Sequence, residues 1–444
     1  MRYFIQLFIF LSALFLTACQ QSSTGTQTHE QQPPRYISPI LDPIFQTFNI
    51  GFSTGVSFPF VSNEDKIINV GITDLLLDKN LNTNARYQKI KNVNINQFVR
   101  LQKGLQKSKF LTFWLVKGWK EKWFDRSKMQ ELMDAGYIPV FSYWYFGDTL
   151  IYGVPDEEKV KAYHEDNQNL ARFLAKLKGK KMLIMEPEFN KAAIIKDEQS
   201  QSKFATIISD AIDTVKAQNP KLLVSISIMD SGARGAGTED IRCQYAHCAL
   251  GDKRNWVQSE TVIKRFSDKL DFISFHQMIG SFSRDYNNLG TWDNPNPRTY
   301  SDTELGIDYL HTRILNLCTY LHDTYKKPVF IPFMATATAT WDESNDNNKI
   351  EPEEISPNAW VPQAQSVYNK LRQIRPQLRE NGLFGFAVMS LFDHPRQDYG
   401  GYQYFMNNEY HLGIIGSGAI DTVDLAPHGD LYFKDNLFAS IFEN

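Results

Sequence analysis

Two glutamates and an asparagine follow a short apolar run at alternate positions. The run Met182–Met185 leads into Glu186, Glu188 and Asn190. If a β-strand continues through these positions, the three polar side chains point to the same side, because side chains alternate between the two faces of a strand. A pair of carboxyl groups on one face can donate and accept protons at a bound substrate. The sequence therefore predicts acid–base chemistry at the end of this strand.

Short apolar runs alternate with amphipathic segments along most of the chain, a pattern typical of parallel α/β folds. Eight runs are candidate strands: Ile68–Ile72, Phe110–Val116, Ile138–Trp144, Met182–Met185, Leu222–Ile228, Phe272–Phe275, Val329–Phe333 and Leu383–Ser390. The amphipathic segments include Asn169–Leu177, Phe204–Ala217, Ile307–Tyr325 and Ala364–Arg379. Eight such units predict a (β/α)8 TIM barrel within residues 41–444. Residues 37–67 then form an N-terminal strand pair or a barrel floor.

In a barrel of this kind, the residues just past each strand face the active site. Those predicted to carry chemistry are Glu186, Glu188, Asp230 and Asp393. Those predicted to bind substrate are Asn190, Tyr143, Trp144, Arg234, His276, Gln277 and Trp341. Aromatic rings edged by carboxylates and amides suit sugars, because pyranose C–H faces pack on rings while hydroxyl groups form hydrogen bonds. The expected partner is a glycan, and no metal or cofactor is expected.

Tryptophans are frequent in the segments between the predicted strands. We expect several of them to line a groove at the barrel mouth and the others to pack in the core; they are Trp119, Trp123, Trp256, Trp292, Trp341 and Trp360.

The strand ends resemble those of clan A glycoside hydrolases. The resemblance rests on Pro187–Asn190 after the fourth strand, on Phe272–His276 in the sixth, and on the sequences of the third and eighth strands. The nearest type is the family 26 endo-mannanase group, in which the acid/base glutamate is followed by an apolar residue and an asparagine. The resemblance implies that Glu188 is the general acid/base and that Asn190 binds a sugar hydroxyl. A like charge at Glu186 would help Glu188 to hold its proton.

The chain departs from this resemblance at the seventh strand. Clan A enzymes carry a nucleophilic glutamate at its end, after a sequence like Lys327–Ile331, whereas this chain has Phe333 in that region. The nearest acidic residues downstream are Asp342 and Glu343. The second carboxyl group matters because retaining enzymes place the pair about 5 Å apart and inverting enzymes about 6.5–9.5 Å apart.

Four explanations of this departure stay open. Asp342 or Glu343 folds back into the site, or Asp230 or Asp393 acts from an adjacent strand as the base of an inverting reaction. The two glutamates of the fourth strand could also act together on a nucleophile carried by the substrate, as in chitinase-like barrels. Finally, the barrel could bind glycan without cleaving it. A separate hypothesis for the whole protein is a structural envelope lipoprotein whose barrel has no ligand.

The N-terminus has the pattern of a secretion signal in residues 1–18. Arg2 precedes the apolar run Phe4–Leu16, which is short for a membrane span. The sequence Leu16–Cys19 resembles the lipobox of bacterial lipoproteins, which implies a diacylated Cys19 and a membrane anchor without a transmembrane helix. An ordinary cleaved signal is the alternative. Gln20 in place of an aspartate favours the outer membrane, and the polar residues 19–40 predict a disordered tether.

Composition and cysteine placement limit the remaining possibilities. The net charge of −3 gives no basic footprint for nucleic acid. Cys243 and Cys248 are close enough in sequence to form a small disulfide in an oxidising envelope; a metal site with His247 would need further ligands. Cys318 lies in an apolar helical pattern and is predicted to be a core residue.

The segment Gly51–Gly55 matches the G-x-S-x-G nucleophile elbow of serine hydrolases. That elbow requires a helix directly after the serine, and the following residues 56–60 do not have a helical pattern. A serine hydrolase is therefore disfavoured.

Overall fold

The described strands form a closed barrel and two small sheets. The structure is a computed structural model that describes residues 53–58, 76–79, 95–229, 256–279, 304–341, 355–356, 358–393, 411–421 and 426–443, all within the unit Ser38–Asn444. In chain order, its strands are Ser53–Phe58 (β1), Phe110–Val116 (β2), Ile138–Trp144 (β3), Met182–Met185 (β4), Leu223–Met229 (β5), Ile273–Ile279 (β6), Val329–Thr336 (β7), Thr340–Trp341 (β8), Ile355–Ser356 (β9), Leu383–Val388 (β10), Ser390–Phe392 (β11), Gly413–Asp421 (β12) and Ala426–Phe433 (β13).

Eight of these strands close into a parallel barrel in the order β1-β10-β7-β6-β5-β4-β3-β2. The helices of the described segments alternate with the strands, as the sequence predicts: Ile95–Leu105 (α1), Arg126–Asp134 (α2), Glu157–Ala175 (α3), Ala192–Ile195 (α4), Glu198–Gln218 (α5), Glu260–Lys264 (α6), Glu304–Tyr325 (α7), Val361–Gln373 (α8) and Arg375–Glu380 (α9). The fold is therefore a TIM barrel, and the prediction of fold class is confirmed. None of the described helices is both long and apolar enough to span a membrane.

Two apolar cores hold the barrel together. Inward-facing residues of the strands form a separate cluster: Phe110, Ile138, Val140, Met182, Ile184, Phe272, Phe330, Phe384 and Ala387. Within it, the rings of Phe110 and Phe330 pack with centroids 4.7 Å apart. The residues at the intervening strand positions join the larger core between strands and helices, which includes Cys318, as predicted. The inner cluster fills the barrel at the amino ends of the strands, so a ligand is expected at their carboxyl ends.

The first barrel strand differs from the prediction. It is Ser53–Phe58, and the predicted Ile68–Ile72 lies outside the described residues. β1 pairs with both β2 and β10, and a Cβ atom added at Gly55 would lie 2.4 Å from the backbone oxygen of Phe110. Glycine is therefore required at position 55 by the close approach of two strands. Because a strand continues through Ser53, the G-x-S-x-G match is no nucleophile elbow.

One predicted helix is two helices. The segment Ala364–Arg379 divides into α8 and α9, with Ile374 between them. Pro376 lies in the first turn of α9, where its missing N–H costs nothing, but it could not continue α8 because it cannot donate to the preceding turn.

A three-stranded sheet, β11-β12-β13, follows the last barrel strand directly. β11 begins two residues after β10, and β12 and β13 form an antiparallel pair. This sheet was not predicted from the sequence.

Candidate active site

The chain leaves β4 in an unusual turn. The strand ends at Met185, and Glu186 and Glu188 have φ angles of +39° and +63°. Such angles cost an L-residue on the order of 1–3 kcal/mol, and they persist where neighbouring structure holds them. Here the amide of Glu186 donates to Tyr143 O of β3 at 2.8 Å, and that of Glu188 donates to Ser227 O of β5 at 3.0 Å. The strand ends at Met185, as predicted, and the alternation that would place Glu186, Glu188 and Asn190 on one face does not continue past it.

Because of this turn, the two glutamates have different neighbours. Glu186 is fully buried, and its Oε2 accepts a hydrogen bond from the amide of Phe146 at 3.1 Å. Burial raises the pKa of Glu186 to about 8, although the amides of Phe146 and Tyr145 and the hydroxyl of Tyr163 act in the opposite direction. The carboxyl group is therefore protonated at neutral pH and lies away from solvent.

Glu188 instead meets charged partners at the mouth of the barrel. Its Oε2 accepts from Nζ of Lys191 at 2.9 Å, and its Oε1 lies 3.7 Å from Nδ1 of His276 on β6. Lys191 also bonds Oδ1 of Asp148 at 2.7 Å, in the short helix Gly147–Tyr152 that follows β3. The side chains of Glu188 and Lys191 are only 9% and 2% exposed. Ion pairs this buried are strongly coupled, because little water screens them.

Aromatic rings fill the barrel beside Glu188. Phe333 of β7 packs against Trp114 of β2 at 4.3 Å and against His276 at 4.6 Å between ring centroids, and Trp114 also meets Trp144 at 5.5 Å. Phe333 is fully buried. β7, Val329–Thr336, therefore presents an aromatic ring here and contains no acidic residue.

A bulge in β7 turns Phe333 inward. The register of β7 shifts against β10 between Phe386 and Val388, and against β6 between Ser274 and Gln277. Pro332 lies within this irregular stretch, and a proline cannot donate to the ladder, so it is found at bulges or edges. Bulges redirect single side chains at the rims of barrels.

Asp393, a predicted catalytic residue, is engaged elsewhere. Its Oδ1 accepts from Nζ of Lys434 at 2.6 Å and from the amide of Gly413 at 3.0 Å, and its Oδ2 lies 3.3 Å from Nδ1 of His411. Asp393 is 1% exposed, and burial lowers the pKa of Lys434. These partners belong to the β12–β13 region, and none of these contacts involves Glu188.

The predicted substrate-binding residues are dispersed. Tyr143 points outward from β3 rather than into the pocket, is fully buried, and donates its hydroxyl proton to Asp166. Burial raises its pKa well above the usual range. Trp144 is half-buried at the aromatic cluster, whereas Asn190 and Gln277 are buried near the strand ends. Tyr143 is therefore a packing residue, while Trp144 stays close to the mouth.

The remaining predicted residues lie in β8 or outside the described segments. Trp341 belongs to β8, and its side chain is outside the description. The predicted residues that lie outside the described part of the chain are Asp230, Arg234, Cys19, Cys243, Cys248, Asp342 and Glu343.

Four of the six tryptophans, which were expected to divide between a groove and the core, are buried. They are at most 7% exposed: Trp119, Trp123, Trp256 and Trp360. Trp119 donates its indole N–H to Asp166 at 2.9 Å, and the same carboxylate binds Tyr143. Burial raises the pKa of Asp166. These rings pack the helix layer against the strands. Trp292 lies outside the described residues.

Lys191 is the site residue that sequence reasoning missed. Its only local signal is its place three residues after Glu188, a spacing that brings side chains together only when the backbone turns. The residues that the structure describes contain no group of three potential metal ligands among His, Cys, Asp and Glu.

Comparisons with known proteins give no family. No family model matches the chain, and no curated protein matches it. Among solved structures, the GH53 catalytic domain of Ignisphaera aggregans is 12% identical, covering 88% of this chain and 96% of that one, with a TM-score of 0.47. A family 1 β-glucosidase from Thermotoga maritima is 13% identical over 88% and 96%, with a TM-score of 0.45. The catalytic core of a xylanase A is 11% identical over 90% and 99%, with a TM-score of 0.46.

Proposed function

We propose that this protein is a glycoside hydrolase that cleaves a polysaccharide of the β-mannan or β-glucan kind, with Glu188 as the proton donor. The observation that carries the proposal is the turn after β4. It holds a nearly buried carboxyl group at the carboxyl end of the barrel in a left-handed conformation, between Lys191 and His276. Strained backbone and buried ionisable groups tend to cluster at active sites.

The surroundings of Glu188 suit proton transfer to a sugar oxygen. The carboxyl group keeps a small exposed fraction, and the half-buried ring of Trp144 lies on the same side of the barrel as His276 and Trp114. An indole face can pack against a pyranose ring. The reaction breaks a glycosidic bond by protonating its oxygen, while a second carboxylate activates water or attacks the sugar.

For the second carboxylate we propose Asp230, which follows β5, the strand next to β4 in the barrel. Asp393 is disfavoured, because Lys434, Gly413 and His411 already bind its oxygens. Phe333 removes the β7 position, so we expect an inverting reaction, in which the two carboxyl groups lie about 6.5–9.5 Å apart.

The test is release of reducing ends by the full-length protein in detergent. The substrates are mannan, mixed-linkage glucan, xylan, chitin and peptidoglycan, and Glu188→Gln is compared with Glu131→Gln, a surface substitution on α2. We expect Glu188→Gln to lower kcat/KM by about 10²–10⁴-fold, the usual contribution of a general acid. An unchanged rate in Glu188→Gln would remove Glu188 from the mechanism.

A second candidate is a carbohydrate-binding protein that does not cleave its ligand. The observation in its favour is Phe333, whose ring is packed on Trp114 and His276 where clan A enzymes carry a nucleophile. This candidate predicts that a glycan binds, measured by calorimetry, and that no reducing ends appear on any of the five substrates.

We also propose that Cys19 carries a lipid that attaches the protein to the outer membrane. The support is the sequence Leu16–Cys19, which resembles a lipobox, and the polar residues that follow it.

A further inference from the structure

Glu188 shares one buried ammonium group with a second acid. Nζ of Lys191 lies 2.9 Å from Oε2 of Glu188 and 2.7 Å from Oδ1 of Asp148. One positive charge is therefore shared by two carboxyl groups. Of the two side chains, Glu188 is the more buried, at 9% exposed against 20% for Asp148. Because little water screens so buried a pair, the charge of Lys191 and its neutralisation by Asp148 act directly on Glu188.

We propose that Asp148 and Lys191 are positioning residues that set the protonation state of Glu188. Asp148 neutralises Lys191, so that Lys191 does not strip the proton from Glu188 before substrate arrives. Lys191 then stabilises the carboxylate that remains after the proton has left. This inference rests on the proposed hydrolase, and it assigns roles to two residues that the proposed mechanism does not otherwise use.

The proposed step is a proton transfer from Glu188 to the glycosidic oxygen. The O–H bond of Glu188 breaks as a new O–H bond forms on the glycosidic oxygen, which takes the electron pair of the breaking C–O bond. A water molecule adds to the sugar carbon and loses its proton to the second carboxylate. The negative charge now on Glu188 lies 2.9 Å from Nζ of Lys191. Since the ammonium is already in place, no reorganisation is needed when the charge develops.

Glu186 and His276 are also near this group, along the chain or in space, and Asp230, the proposed second carboxylate, lies outside the described residues. On its own turn, Glu186 points the other way, to the amide of Phe146. From β6, His276 approaches Oε1 of Glu188 at 3.7 Å, and its ring is packed against Trp114 and Phe333. The contribution of His276 is the same in every variant that leaves these rings in place, so differences between variants report on Asp148 and Lys191.

The experiment compares Asp148→Asn and Lys191→Met with wild-type protein and with Lys128→Met, a surface lysine substitution on α2. The first readout is the pH dependence of kcat/KM in the full-length protein. The second is ¹³C NMR titration of the glutamate carboxyl groups, in which the Glu188 signal is assigned by its loss in Glu188→Gln. Thermal melts confirm that each variant is folded. Asp148→Asn is nearly isosteric and only partly buried, so it remains informative if Lys191→Met does not fold.

We expect Asp148→Asn and Lys191→Met to shift the pH profile and the titration of Glu188 in opposite directions. Asp148→Asn leaves the full charge of Lys191 facing Glu188, so the basic limb of the pH profile and the Glu188 titration should move about 1 pH unit lower. Lys191→Met should move both about 1–3 pH units higher, as expected for loss of an adjacent opposite charge. Lys128→Met should move neither.

The outcomes separate this inference from the proposed function. If the wild-type protein cleaves no glycan but the NMR titrations shift in opposite directions, the hydrolase proposal fails and the control of Glu188 stands. If cleavage depends on Glu188 but both substitutions leave the pH profile and the titration in place, the inference is overturned. Shifts of the same sign in both variants would also overturn it, since they would reflect a general structural change.

Discussion

Glu186 and Glu188 are two positions apart and have opposite environments. Glu186 is fully buried beside the amide of Phe146 and the hydroxyl of Tyr163. Glu188 instead faces the ammonium group of Lys191 and the imidazole of His276. Carboxyl groups whose environments separate their protonation behaviour often divide acid and base roles. Glu186 is fully buried, so we expect it to support the turn, and Glu188 is the carboxyl group that we propose for the chemistry. The pairing of the two on a substrate-borne nucleophile is accordingly disfavoured.

Glu186 should make stability depend on pH. Its pKa is about 8 in the folded protein and 4.5 in the unfolded chain. Between these values the unfolded chain loses a proton that the folded protein keeps, so the free energy of unfolding falls as pH rises, by roughly 1 kcal/mol per pH unit. Below pH 4.5 the contribution is fully present, and above pH 8 it has been lost. Glu186→Gln should remove this slope, because Gln resembles the neutral acid; urea unfolding from pH 4 to 9 measures it.

The control for this prediction is Glu131→Gln, which removes a carboxylate that is 50% exposed. It should leave the slope of wild-type protein in place. A pH slope that survives in Glu186→Gln would mean that other groups produce it and that Glu186 is ionised in the folded state.

At the scale of elements, the sequence predicts most of the barrel. Seven of the eight barrel strands match short apolar runs, and their boundaries differ from the predicted ones by only a few residues. The first strand could not be found in this way. Ser53–Phe58 is less apolar than Ile68–Ile72, and what selects it is the close contact of Gly55 with Phe110 on the neighbouring strand. Such a requirement is tertiary, and local hydrophobicity does not contain it.

The site was predictable only in part for the same reason. The type and place of Glu188 and His276 follow from strand ends, and the structure brings these two together. The direction of each glutamate does not follow, because the turn depends on hydrogen bonds to Tyr143 of β3 and Ser227 of β5. Extending the strand periodicity past Pro187 therefore placed both glutamates on one face. Likewise, nothing local indicates that Lys191 turns back to Glu188.

The small sheet depends on one buried ion pair. Lys434, just after β13, is fully buried and binds Asp393, Thr338 Oγ1 and the carbonyl oxygen of Gly413 at 2.6–2.8 Å. Lys434→Met should lower the free energy of unfolding by about 3–5 kcal/mol, since it leaves the charge of Asp393 buried without compensation. Urea denaturation measures the loss.

The double variant Asp393→Asn/Lys434→Met is the matched control. It removes both charges while Asn still accepts from the amide of Gly413, so most of the lost stability should return. It should also retain glycan cleavage if Asp393 is structural. A double variant that is as unstable as Lys434→Met would show that packing of the lysine stem, rather than the charge pair, holds the sheet.

At the scale of the whole molecule, the barrel has one end suited to chemistry. The lower interior is filled by the cluster around Phe110, Phe330 and Phe384, whereas the buried charged group of Glu188, Lys191 and Asp148 lies past the carboxyl ends of β3 and β4. A polysaccharide is too large to diffuse into a cell, so an enzyme of this kind acts where the polymer is. A lipid on Cys19 would keep the barrel at the envelope, with residues 19–40 as the tether.

Cys19→Ala tests this anchoring. Each buried CH₂ group of a lipid contributes about 0.8 kcal/mol to membrane affinity, and stable attachment requires more than one acyl chain. We therefore expect wild-type protein to incorporate labelled palmitate and to sediment with membranes, and Cys19→Ala to do neither. Cys318→Ala is the matched control, because Cys318 is buried in the barrel core and out of reach of an acyltransferase. If Cys19→Ala still sediments with membranes and carries label, the N-terminus is an ordinary signal sequence and the attachment lies elsewhere. If it becomes soluble but cleaves glycan at the wild-type rate, the lipid sets where the barrel works and contributes nothing to how it works.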